Sequence, residues 1–225
     1  MKVSLKNLSK NQKLLLGAGI VAGIILLYVV SKKGKGLKSG STNFKKKVVD
    51  LANEEFAKWN KAGSKIKEGN SATMADLRKY WKEGAGVNNT DNYYITQPWS
   101  AAFISYIMKK AGAGDEFKYA PAHSSYIAQS VKNRKENNSK KFKAYKPSEV
   151  KVEVGDLVCY ARQGGVSYDS PAGYKSHCDL ITEINGNKAT GIGGNVSDSV
   201  SKKIYDLKDG KAASNNVFVV IKNLM

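Results

Sequence analysis

From Phe44 to Trp59 the apolar residues Val48, Leu51, Ala52, Phe56 and Trp59 recur at three- and four-residue steps. That spacing predicts a helix with one buried stripe, ended by Gly63. Thr73 to Asp76 has the form of a capping box and predicts a second, short helix through Leu77, Tyr80 and Trp81, closed by Gly84. Residues 88–97 read as polar loop. Pro98 then opens a third helix, capped by Thr96 or Gln97, since its missing N–H costs nothing in a first turn. Ala101, Ala102, Phe103, Ile104, Ile107 and Met108 make this helix apolar over most of its surface, and Gly112 stops it. A central, buried helix is expected. A fourth helix is predicted over Ser124 to Arg134, followed by a Lys- and Asn-rich loop over 135–149. Beyond Val150 the period changes from helical to extended. Strands are predicted at 155–161, 177–184, 188–192 and 217–221, with Asn185, Gly186 and Asn187 as a hairpin turn. Helices followed by an antiparallel sheet make an α+β chain. No internal repeat is visible.

The start of the chain differs in kind. Leu14 to Val30 is seventeen residues without a charge, a helix of roughly 25 Å, near the lower limit for crossing a bilayer. Lys13 bounds it on one side and Lys32 and Lys33 on the other, and Tyr28 sits where an interfacial aromatic would. The rival is a cleaved leader, with Val29 to Ser31 as a cleavage-site-like run. The chain thus divides into a basic arm (1–13), a transmembrane helix (14–30), a flexible basic linker (31–43) and a globular domain (44–225). Lys2, Lys6, Lys10 and Lys13 precede the span and Lys32, Lys33, Lys35 and Lys38 follow it, so charge does not orient it. Lipid is the partner expected for residues 14–30.

Composition narrows the function. Lys and Arg number 37 against 19 Asp and Glu, a net +18 in 225 residues. Residues 1–48 hold eleven Lys and no acid, which leaves +7 on the rest. The charge excess is largely a property of the arm, and no specific nucleic-acid partner is expected. Two Cys and two His exclude a zinc finger or a disulfide scaffold, and no Gly-rich phosphate loop is present. No cofactor and no metal is expected, so a few polar residues must carry the function.

Ser100 falls in the first turn of the buried helix, where free N–H groups and the helix dipole favour negative charge on a nucleophile or an oxyanion. His177 begins a strand after the Gly-, Ser- and Tyr-rich loop 162–176, a position that suits a general base. Asp179 lies two residues on, on the same strand face, where a carboxylate would support an imidazolium. His123 opens the fourth helix and reads either as a second site histidine or as a locally bonded cap residue. Cys159 and Cys178 read as small buried hydrophobes, bridged only if their strands pair in register. Tyr93, Tyr94, Tyr168 and Tyr174 are loop aromatics. The Lys run at 132–146 reads as a solvated face or a contact for an anionic polymer.

Four blocks carry a family resemblance. Trp99 to Ile104 with Ala111 and Gly112, then Gly155 to Val158, then Ser176 to Cys178, then Gly193 to Asn195, resemble in order the motifs of CHAP amidases and NlpC-like cell-wall peptidases. The resemblance covers about residues 90–200. It is closest to an uncharacterised CHAP-like family in which Ser replaces the nucleophilic Cys and His-Cys-Asp replaces His-Val-Gly. It implies a papain-like fold and amide hydrolysis in peptidoglycan or its peptide stems, in phage entry, lysis or envelope remodelling. Ser100 would attack, His177 would move the proton, and Asp179 or Asn195 would orient His177. Trp99, Tyr94, Tyr168, Tyr174 and His123 would border the cleft. The domain would lie on the wall side of a membrane, or at a virion membrane if phage-encoded. A serine hydroxyl must lose its proton during attack, unlike a readily ionised thiol. The alternative is therefore a catalytically silent module of the same kind that binds wall fragments or a partner.

Overall fold

The computed structural model describes residues 41–225. The first helix, α1 (Ser41–Trp59), turns Phe44, Val48, Ala52 and Trp59 inward, the stripe that the spacing predicts. It takes in Ser41 to Asn43, expected in the linker. A two-stranded hairpin, β1 (Asn60–Lys61) and β2 (Ser64–Lys65), follows around Gly63. Helix α2 (Ser71–Lys79) is capped by Asn70, whose side-chain oxygen accepts the Ala72 N–H. The expected capping box at Thr73 does not form. Thr73 already lies inside the helix, and its hydroxyl donates to backbone oxygens of Lys67 and Asn70. A π-helical turn (Tyr80–Gly84) continues α2.

Where a polar loop was expected, Asp91–Thr96 forms a short helix, α3, capped by the Thr90 hydroxyl. This helix ends at Gln97, which Pro98 holds extended at ψ 147°. The next helix, α4 (Ser100–Ala111), therefore starts two residues later than Pro98, with Trp99 at its cap. Every residue of α4 except Lys109 and Lys110 is buried, and Gly112 ends it in the left-handed region at φ 94°. Helix α5 spans His123–Lys135.

The remaining chain is a curled antiparallel sheet of seven strands: β3 (Phe142–Tyr145), β4 (Leu157–Ala161), β5 (Ser176–Asn185), β6 (Lys188–Gly193), β7 (Ser201–Lys208), β8 (Lys211–Ala212) and β9 (Val217–Asn223). Their order is β3-β9-β4-β5-β6-β7-β8. Alternate side chains separate its two faces. Leu157, Cys159, Cys178, Leu180, Ile192, Val219 and Ile221 join the helices in the main core. Val158, Ile181, Ala189, Tyr205 and Val220 close a smaller core on the other face. Asn185 and Lys188 pair across the expected hairpin turn.

Two expectations are corrected. Cys159 and Cys178 stand directly opposite each other on β4 and β5 and form a disulfide, with Cα atoms 4.1 Å apart. They are a cross-strand bridge and not two separate small hydrophobes. A papain-like domain behind a single transmembrane helix was the expected architecture. What is found is an α+β domain with a curled antiparallel sheet, and among the described residues no helix is long and apolar enough to cross a membrane. The span predicted at 14–30 lies outside the described residues.

Candidate active site

Ser100 is the first residue of α4, and no side chain caps that end. Helix geometry leaves the N–H groups of Ser100, Ala101 and Ala102 without intrahelical acceptors. Its hydroxyl meets a histidine: Ser100 Oγ lies 2.6 Å from Nε2 of His123. Both residues are buried, at 4% and 5% exposure. The loop between α4 and α5 explains the meeting. Ser105, on α4, donates through Oγ to the Ala120 carbonyl (3.0 Å) and accepts the Ala120 N–H (3.1 Å). This clamp fixes the approach to His123, the first residue of α5. Three residues on, the Tyr126 hydroxyl hydrogen-bonds His123 Nδ1. Burial pushes the His123 pKa well below the ordinary 6.5, and electrostatic repulsion from the neighbouring His177 and Arg162 pushes it the same way. The Tyr126 hydroxyl is driven up by burial and by the Asp179 charge, so it remains a phenol.

His177 was expected to face Ser100. Instead it forms a second, adjacent set. Its Nε2–H donates to Asp179 Oδ1 at 2.8 Å, and the Tyr205 hydroxyl donates to Asp179 Oδ2 at 2.5 Å. The two imidazole rings lie 5.0 Å apart, centroid to centroid. His177 Nδ1 is buried and has no hydrogen-bond partner among the described residues. Of the two residues expected to orient His177, Asp179 is the one hydrogen-bonded to it. Asn195 lies in the loop after β6 at φ 54° and makes no hydrogen bond to His177. The glycines before Asn195 have a packing role. A Cβ on Gly193 would fall 1.8 Å from Asp179 Oδ1, and one on Gly194 would fall 2.5 Å from the Phe103 Cβ.

A cleft of about 540 Å³ opens onto Ser100 and His123. Tyr174 lines it, as does Tyr93, together with Trp81. Trp99 and Tyr94 are fully buried core residues, and Tyr168 donates its hydroxyl to the Ala144 carbonyl. Tyr126, Tyr205, Gln97, Arg162 and Lys175 are functional candidates that sequence reasoning missed. Tyr126 had a signal, its three-residue spacing from His123 on a predicted helix. Tyr205 had none, because its strand was not recognised. Among the described residues no group of three or more His, Cys, Asp or Glu is placed to hold a metal ion.

A bacterial family model matches residues 53–217. The chain belongs to the DUF2272 family, described as uncharacterized proteins conserved in bacteria. The matched segment takes in Ser100, His123, Tyr126, His177, Asp179 and Tyr205, so both hydrogen-bonded sets lie inside the family's domain. Neither a curated protein nor a solved structure matches the chain.

Proposed function

We propose that this DUF2272 domain is a serine-type amide hydrolase acting on peptidoglycan or its peptide stems. The observation that carries the reading is the 2.6 Å contact of Ser100 Oγ with Nε2 of a neutral, buried histidine in an open cleft. In the working tautomer His123 Nδ1–H donates to the Tyr126 oxygen, and Nε2 turns its lone pair to Ser100. Ser100 Oγ attacks the amide carbon while its proton passes to Nε2. The free N–H groups at the start of α4 and the amide of Gln97, which lines the cleft, stabilise the oxyanion. His123 then returns the proton to the leaving amine, and water releases the acyl group by the same steps in reverse. The Asp179 carboxylate, held by His177 and Tyr205, stands in the neighbouring set, where its charge acts on Tyr126. The choice of wall peptide as substrate is supported by the four sequence blocks that resemble cell-wall amidases.

The other tautomer of the same contact gives the silent alternative: with the Tyr126 hydroxyl donating to Nδ1, the ring proton sits on Nε2, which then has no lone pair to accept the Ser100 proton. The deciding experiment incubates the full chain with insoluble peptidoglycan beside Ser100→Ala and Ser100→Cys. Release of new amino groups by the wild type and not by Ser100→Ala is expected. Silence of both the wild type and Ser100→Cys across several wall chemistries would overturn the hydrolase reading in favour of a binding module.

A further inference from the structure

The cleft beside Ser100 has an unbalanced charge. Arg162 and Lys175 line it, and none of its lining residues is an acid. These two cations are not scattered surface charges. Strands β4 and β5 pair through Ala161 and Ser176, and the Arg162 N–H donates to the Lys175 carbonyl at 2.9 Å. The ladder thus runs one residue further and sets Arg162 opposite Lys175. Alternation places both on the face that carries His177. Directly opposed side chains on antiparallel strands have Cβ atoms about 5 Å apart, and like charges there repel. No salt bridge among the described residues relieves this pair. Asp169, the acid in the adjoining loop, is bound to Lys135 at 2.6 Å. Arg162 is also close enough to the catalytic pair for its charge to help keep His123 neutral.

We propose that Arg162 and Lys175 form a carboxylate-binding subsite, so that the substrate is a peptide carrying a free carboxylate next to the amide held at Ser100. The inference rests on the hydrolase reading above and names the substrate class of that same cleft. An Arg fork can take a carboxylate bidentately, and Lys175 adds a point charge from the neighbouring strand. Binding cancels the repulsion between the two cations. Trp81, Tyr93 and Tyr174 line the cleft alongside them and offer flat apolar contact to the peptide on either side.

Binding tests this independently of turnover. Full-length Ser100→Ala protein is titrated calorimetrically with a soluble wall stem tetrapeptide whose carboxylates are free, and with the same peptide fully amidated. The free-acid peptide should bind about tenfold more tightly at low salt, and Arg162→Gln or Lys175→Gln should each erase most of that preference. Arg162→Lys should retain part of it. Equal affinity for the two peptides, or no binding of either, overturns the subsite. The two readings fail separately. Acid-selective binding with no cleavage by the wild type removes the hydrolase and keeps the subsite, whereas equal cleavage of both peptides does the reverse.

Discussion

Gly193 is the position where one added methyl group tests the arrangement of the site. Its φ lies outside the left-handed region, so alanine there carries no backbone penalty and the effect is purely steric. The new Cβ would stand 1.8 Å from Asp179 Oδ1, 3.1 Å from its Cγ and 2.7 Å from His177 Nε2. None of these atoms is the end of a long, flexible side chain, and Asp179 is fixed from the other side by the Tyr205 hydroxyl. Forcing a methyl group into a packed site costs about 1–3 kcal/mol. Parting a buried hydrogen bond to a charged group adds about 1.5–3 kcal/mol. At about 2–4 °C per kcal/mol for a domain of this size, Gly193→Ala should lower Tm by about 5–24 °C in a calorimetric melt at pH 7. Asp179→Ala removes the nearest obstacle, so the same methyl should cost about 1–3 kcal/mol less in that background. A fall below about 2 °C, or strict additivity of the two changes, would refute the packing argument.

Two further outcomes follow from the buried groups. His123 has a folded-state pKa held well below 6.5 by burial, so the unfolded chain is the better proton acceptor. The stability tied to its neutral form is complete above pH 6.5 and is lost as pH falls from there through the folded value. The Tm difference between wild type and His123→Gln should therefore narrow on the acid side of pH 6.5, and a flat difference would contradict the burial effect. The Cys159–Cys178 bridge closes a loop with a sequence separation of 19, worth about 3 kcal/mol by loop entropy. The double alanine variant should melt about 6–12 °C lower than oxidised wild type. Thiol reagents should find no free cysteine in the denatured, unreduced wild type, and two reactive thiols there would exclude the bridge.

Much of the fold was legible because burial imposes a period. Val48, Ala52 and Trp59 mark one face of α1, and the nearly unbroken apolar run of α4 marks a helix surrounded by protein. The missed elements are those in which the period is masked. In β7 the inward face carries Ser201 and the half-buried Lys203 beside Tyr205 and Leu207, alternating with Lys202, Asp206 and Lys208, so two of four inward positions are polar and the strand reads as charged. In β3 only Phe142 and Ala144 turn inward, amid lysines. Helix α3 is too short to show a period and is set by its Thr90 cap.

The site divides along the same line. The Asp179 partnership was readable because two residues on one strand face must be neighbours, whatever the rest of the fold does. The Ser100 partnership was not, because it joins residues on different helices through a loop. The local signs favoured His177, which begins a strand after a flexible loop and has a carboxylate beside it. What brings His123 to Ser100 is the two-way grip of Ser105 on Ala120, and a serine inside an apolar helix sends no signal of its target. The buried Ser105 on α4, away from the cleft, is thus the residue that decides which histidine Ser100 meets.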